Sequence, residues 1–509
     1  MRTLAELVRS QGLLDKDEAA LTTARSGNRY IDGTGARIYS GSLRRRGGVL
    51  YFIGRSGGGR YLFGVSAAPI QDDFPGTMGE ESGLHYKRVE LVPEAARVLH
   101  EYFPFTAPIS LKDKRTTVGC GDRLGLATPG HIEAVKNHDA YPVLAQQSLR
   151  ELSLTGRNYD GVVADASFGV FQEGFEKGYG ADGDHLKRIE DMGVALRAGM
   201  PMITLDLSEV MNPAVADWSG ETVEQEFAKL PESVRTIITE RYGGKSFRVG
   251  DETIPIGEEE AKRCALMYVK ALDFAKEVDD YLRNERGDAY DLEISIDETT
   301  TPTLPSHHVF IVSELTRRGI TVTSLAPRFV GEFQKAIDYI GDLGEFERQF
   351  STHCKIAQAY GGYKISVHSG SDKFSAYPAI GKHTGGRLHL KTAGTSWLQA
   401  LRAIAQARPS LYRRIHEKAF QYYDEALKLY HITADPMRIP SLESVPDETL
   451  EETFFEQRDA RQLLHITYGG LLNDPEIRGP FFQALDEEEA LHIRKVAEHI
   501  ERHVTLLGL

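Results

Sequence analysis

Cys120, Cys264 and Cys354 are the only cysteines in 509 residues, and no two form a Cys-x-x-Cys pair. An odd number at wide spacing excludes a disulfide framework and a thiolate zinc site, and points to a reducing, cytoplasmic setting. No apolar run approaches the ~20 residues that cross a bilayer, so no membrane partner is expected. The first ten residues lack an uninterrupted apolar segment and a small-residue cleavage site. They read as a short amphipathic helix rather than a secretory signal. Basic charge is also scarce: 60 Lys and Arg against 74 Asp and Glu leave a net charge of -14. Nucleic acid selects basic surfaces and is therefore not an expected partner. A small anionic molecule remains compatible, because it feels only the field of its pocket. Internal repeats, low-complexity segments, a Gly-x-Ser-x-Gly elbow, a Walker loop and a Rossmann fingerprint are all missing.

What is present is an ordinary globular composition, 41% apolar and 26% charged, enough for a large core. Residues 1–110 read as an α+β unit. In it, two aromatic, β-favouring runs (49–54 and 60–65) flank Arg55-Ser56-Gly57-Gly58-Gly59. That glycine run lies between strands and lacks a following Gly-Lys-Ser/Thr, so it is a hairpin turn and not a phosphate loop. Residues 111–440 alternate short apolar strands with longer amphipathic stretches, the pattern of βα units. Strands are expected near 116–120, 142–146, 201–206, 291–297, 321–325, 363–368 and 387–391, with an eighth near 431–435. Helices are expected at 273–285 and 329–340, and 212–260 reads as an excursion between barrel units. The expected fold is α/β, a TIM-like (β/α)8 barrel, with a doubly wound open sheet as the alternative. Residues 441–509 read as a helical, charge-rich extension.

In a parallel barrel the strand ends meet on one face, where catalytic residues collect. Several strands here end in polar groups: Gly121-Asp122-Arg123, Asp297-Glu298, His368-Ser369-Gly370-Ser371-Asp372-Lys373 and Lys391-Thr392. Gly180-Ala181-Asp182-Gly183-Asp184-His185-Leu186-Lys187 stands before an apparent helix. Either aspartate alone could cap that helix, but Asp184, His185 and Lys187 together exceed what capping explains. Imidazole nitrogen and carboxylate oxygen suit a divalent metal or proton transfer. Asp297 and Glu298 are adjacent carboxylates at the end of a buried strand, where bare charge is costly. Alternation sends them in opposite directions, and Glu298 is taken as the functional one. His368 occupies a strand end where barrels place metal ligands, and His308 precedes a helix as a further candidate. His389 alternates with Leu388 and Leu390 and is equally compatible with a core role. Arg123, Arg328, Lys373 and Lys391 follow strand ends and suggest a local anion pocket, arginine being suited to bidentate carboxylate binding. Gln146 and Gln147 end the second strand, within reach of sugar hydroxyls.

On these stretches the chain resembles the tagaturonate epimerase family. The matching segments are 121–131, 145–148, 171–174, 180–187, 295–299, 324–331, 338–342, 368–373 and 391–396, resuming at 461–465. The resemblance implies an isomerase of hexuronate metabolism that interconverts tagaturonate and fructuronate, with a sugar-acid substrate and a divalent metal. It also admits neutral ketohexoses such as tagatose and fructose, since some similar proteins act on them.

The carbon to be inverted is β to the ketone and β to the carboxylate, so its C–H is not acidic and simple deprotonation cannot invert it. A retro-aldol cleavage and re-addition can. For that route Asp184 is assigned as base and Glu298 as acid. His185 and His368 are assigned to the metal, with His308 or another side chain as third ligand. Asp122, Arg123, Gln146, Arg328, Lys373 and Lys391 are assigned to the substrate. Histidine and carboxylate donors leave zinc, manganese, iron, cobalt and nickel open. A class II-type aldolase and a non-catalytic sugar-acid sensor are the rival readings. The sequence leaves the oligomeric state open, a homo-oligomer included.

Overall fold

A computed structural model describes residues 2–297, 301–392 and 394–509. Eight parallel strands close a barrel: Thr116–Gly119, Tyr141–Ser148, Gly180–Leu186, Met202–Asp206, Asp291–Ser295, Ser324–Ala326, Lys364–Val367 and Leu388–Lys391. The last pairs with the first, Leu390 opposite Val118, and completes the ring. The strands are buried along almost their whole length. A parallel sheet requires this, because crossover helices cover its outer face while side chains fill its interior. The open-sheet alternative is thereby set aside.

Seven of these strands coincide with the apolar runs of the sequence. The remaining one is Gly180–Leu186, which the sequence presents as a helix entrance, whereas 431–435 carries no strand. Glycine and aspartate disfavour strands, but here their neighbours supply the ladder: Asp182 pairs with Gln146 on one side and Met202 on the other. Residues 329–340 are likewise not helical. Their apolar residues instead serve a loop. Phe329 and Phe333 pack on Phe346 of the helix Leu343–Ala359, with ring centroids 6.0 and 5.8 Å away.

The N-terminal residues form a seven-stranded antiparallel sheet. Its central hairpin joins Val49–Ser56 to Gly59–Ser66. Gly57 and Gly58 turn it at φ +63° and +81°, where side-chain-bearing residues are strained. One hydrophobic cluster joins this sheet to Phe168 and Phe171 of the helix Tyr159–Glu173, and so seats it against the barrel. Between the fourth and fifth barrel strands come two short helices, the hairpin Lys245–Val249/Glu252–Ile256 and the 29-residue helix Glu258–Arg286. After the barrel, the helices between Thr395 and Glu487 share a second core that runs from Trp397 to Leu485, whereas the last helix, Glu489–Leu506, packs Val496, Ile500 and Val504 into the barrel's own core. Among the described residues, no helix is long and apolar enough to cross a membrane.

Candidate active site

A cavity of about 720 Å³ opens over the carboxyl ends of the barrel strands, lined by Asp184, His185, Asp297, Arg328, His368 and Lys391 among others. Below it lies a polar layer drawn from alternate inward positions. Asp182 and Asp184 lie two apart on the third barrel strand, so both face inward. Thr204 comes from the fourth strand, Glu293 from the fifth and Lys391 from the eighth.

Lys391 ties this layer together. Its Nζ donates to Asp184 Oδ1 at 2.5 Å and Thr204 Oγ1 at 2.6 Å. It also lies 2.9 Å from Glu293 Oε1 and 3.2 Å from Asp182 Oδ2. Burial opposes all of these charges. Against it, Lys391 and His185 hold Asp184 well below the usual carboxylate range, while Lys391 and His368 do the same for Glu293. Asp182 goes the other way: burial, with Asp184 and Glu293 close by, raises its pKa despite Lys391. Lys391 itself is driven up, the carboxylates outweighing its burial.

His185 follows Asp184 directly, and in a regular strand the two side chains would point apart. Here His185 has φ +55°, and the pairing register with the fourth strand shifts between Gly183 and Leu186. This kink turns the imidazole to the cavity side, where Nδ1 lies 2.9 Å from Asp184 Oδ1. Left-handed backbone is rare for residues other than glycine and concentrates at functional sites. Across the barrel mouth stands His368, its ring centroid 4.9 Å from that of His185. His368 Nε2 lies 2.6 Å from Glu293 Oε1, and Nδ1 lies 3.2 Å from Asp297 Oδ1.

These contacts form a donor set for a metal. One potential ligand atom from each of His185, Asp297 and His368 lies within 4.8 Å of the others. Two imidazoles and a carboxylate suit first-row transition metals and zinc. The electrostatics agree with that chemistry. Burial would lower the histidines, yet Asp297 and Glu293 raise His368 to about 9, and Asp184 raises His185. The surroundings thus demand positive charge at these two rings, and two imidazolium protons or one divalent cation would supply the same amount.

Other residues singled out in the sequence lie elsewhere or do something different. His308 is buried in the helix Pro305–Arg317, with Nδ1 2.8 Å from His353 Nδ1 and Nε2 2.7 Å from the Tyr363 hydroxyl. Both nitrogens are engaged away from the cavity, and Asp297, not His308, lies beside His185 and His368. Asp122 accepts from the backbone N–H groups of Leu124, Gly125 and Ala127 at 2.7–2.9 Å, bracing a turn. Gln146 is inside the barrel, donating to Asp182 Oδ2 at 3.0 Å. The Lys373 ammonium is fully buried on the carbonyls of Gln334, Ile337 and Ser371 at 2.7–2.8 Å. None of these three reaches the substrate cavity. Arg123 lines it but is held by Glu151 at 2.9 Å and lies over the Tyr468 ring at 3.6 Å. Lys391 reaches the cavity as the clamp of three carboxylates, so it is not a free anion binder. Glu298 lies outside the described residues.

The sequence reading passed over Asp182, Glu293 and, in favour of its neighbour, Asp297. Glu293 carried a usable signal: a lone carboxylate between Leu292 and Ile294 in a buried strand must be paired.

A family model described as tagaturonate epimerase matches residues 39–507. The tagaturonate/fructuronate epimerase of Thermotoga maritima is 41% identical over 478 residues, 93% of this chain and 98% of its own. The native crystal structure of fructuronate-tagaturonate epimerase from Cohnella laeviribosi is 42% identical with a TM-score of 0.89, covering 93% of this chain and 96% of that one. Its complex with two glycerols gives the same TM-score of 0.89 at 42% identity, covering 93% and 97%.

Proposed function

The chain belongs to the tagaturonate epimerase family, and from that premise we propose that it interconverts tagaturonate and fructuronate at the barrel mouth. The observation that carries this reading is the convergence of His185, Asp297 and His368 beside the Asp184–Lys391 pair. Its three cysteines are free thiols, in keeping with the cytoplasmic setting in which we place it.

His185, Asp297 and His368 would hold a divalent cation, supplying Lewis-acid stabilisation of the oxyanion on the ketose fragment worth several kcal/mol. Asp184 takes the proton from the hydroxyl on the carbon to be inverted. It borders the cavity; Oδ1 is occupied by Lys391 and His185, and Oδ2 has no hydrogen-bond partner among the described residues. Against its burial, Lys391 and His185 hold Asp184 ionised, which leaves it free to accept a proton but lowers its basicity. The bond between that carbon and its neighbour on the ketone side then breaks, leaving an aldehyde fragment and an enediolate fragment. The aldehyde turns over, the bond re-forms on its other face, and the proton returns to the new hydroxyl. Glu298 is the proposed partner acid. Arg328 lines the cavity and is proposed to contact the substrate there. The cavity must retain both fragments during the turn, because their escape would make the protein an aldolase.

The test is incubation of metal-loaded protein with tagaturonate, followed by chromatography. Fructuronate is the expected product. Accumulation of two three-carbon fragments, or unchanged substrate with metal bound, would overturn the reading.

A further inference from the structure

Besides Lys391, which is clamped by three carboxylates, six cations line the cavity: Arg123, Arg150, Lys187, Arg188, Arg328 and Lys335. Most are accounted for. Arg123 is paired with Glu151. Lys187 lies 3.6 Å from Asp206 and 3.7 Å from Glu209. Arg150 reaches the Leu429 carbonyl and the Tyr430 ring, and Arg188 is exposed. Arg328 takes part in an interaction of its own. Lys335 differs. It is only partly exposed, its ammonium donates to Ser369 Oγ at 2.9 Å, and among the described residues it has no carboxylate within 4 Å. An ammonium has three donors and no acceptor, so two N–H bonds remain for something in the cavity.

The backbone aims this group. Ser369 has φ +47° and directly follows His368, while Ala336 beside Lys335 has φ +63°. Two unusual backbone residues therefore flank a lysine and its hydroxyl partner, and that partner, Ser369, is the residue next to His368. Gln334 holds the same loop by accepting from Thr433 and Gln462. A charge held this firmly without a counter-charge costs stability, since burial favours the neutral amine. Burial indeed lowers the Lys335 pKa, with Arg150 and Arg123 adding to the effect and Glu151 opposing it. An anion in the cavity would relieve that cost.

Building on the epimerase reading, we propose that Lys335, positioned by Ser369, binds the substrate's terminal carboxylate and thereby selects uronates over neutral ketoses. The carboxylate of a hexuronate lies four carbon–carbon bonds from the ketone carbon. A substrate with its ketone end at His185, Asp297 and His368 extends its other end along this wall. A neutral ketose presents a hydroxymethyl group there and leaves the ammonium without a counter-charge.

The test compares kcat/KM for tagaturonate and tagatose in wild type, Lys335→Met and Lys335→Arg. Lys335→Met is expected to shift the uronate-to-ketose ratio of kcat/KM by about 100-fold or more towards tagatose. Lys335→Arg retains the charge and keeps most of the preference. Ser369→Ala is a second probe should Lys335→Met fold poorly: it loosens the ammonium and raises KM for tagaturonate about threefold to tenfold. An unchanged ratio in Lys335→Met, or an unchanged KM in Ser369→Ala where Lys335→Met does not fold, overturns the assignment while wild-type turnover leaves the epimerase reading standing. Wild-type protein inactive on both substrates sinks that reading and this one together.

Discussion

His185 shows how much of the site depends on a single backbone angle. At φ +55° it abandons strand alternation and joins Asp184 on the cavity side. Sequence alone shows the Asp-His pair but not this rotation, because position in a strand gives only an ideal direction. The same limit explains the other differences. Asp122, Gln146 and Lys373 sit at strand ends as read, yet their side chains turn to a backbone turn, the barrel interior and three buried carbonyls. Strand ends were legible; side-chain directions at those ends were not. At this scale the prediction concerns the donor set. Asp297→Ala and His185→Ala should each weaken metal binding by about tenfold to a hundredfold, and the pair together should abolish stoichiometric metal. Elemental analysis of dialysed protein reads the outcome. Full metal content in the double variant would remove these ligands from the proposal.

At the scale of elements, the last helix, Glu489–Leu506, braces the site from behind. Its His503 accepts from the Asp372 N–H at 3.2 Å, and its His499 lies 3.5 Å from Asp372 Oδ1. Arg461 completes the grip on that carboxylate at 2.8 Å. Asp372, His499 and His503 are close enough to suggest a second metal group, but both nitrogens of His503 are used and the guanidinium already supplies the positive charge. The cluster is a clamp between this helix and the seventh strand's loop. The helix fits closely because Gly130 lacks a side chain: a Cβ there would meet Val496 at 2.7 Å and the Ile493 carbonyl at 2.8 Å. Gly130→Ala sets two effects against each other. Helix propensity favours alanine by about 1 kcal/mol, whereas overpacking costs about 1–3 kcal/mol. Contact with backbone cannot relax easily, so a lower urea midpoint is expected; a raised midpoint would show that the helix gives way. The third barrel strand teaches the converse lesson about legibility. Its glycines and aspartates hide it from propensity, and only pairing on both sides makes it a strand.

The molecule as a whole stores most of its 17 histidines as buried neutral rings. Burial lowers His131, His353, His416 and His492 to about 4 and His389 to about 3. The unfolded chain protonates the same groups near 6.5. Between those values the unfolded state binds more protons, so stability falls as pH drops from about 6.5 to about 4. His185 and His368 act in the opposite sense, because their pKa values are raised, but they are two against many. Urea unfolding should therefore show a clear loss of stability between pH 7 and pH 5. An equal or greater midpoint at pH 5 would contradict the neutral assignment of these rings. At this scale the sequence was most readable: buried parallel strands write themselves as apolar runs, and seven of eight could be located from them.

The triad at the barrel mouth has a consequence for how the protein comes into being. His185, Asp297 and His368 arrive on the third, fifth and seventh staves of a closed ring, each separated from the next by a long stretch of chain. No early fragment of the nascent polypeptide carries the complete set. A cation held by this proposed set would therefore not be a seed around which the chain gathers. It would be a late guest, since all three donors must be made and brought together before it has a complete site.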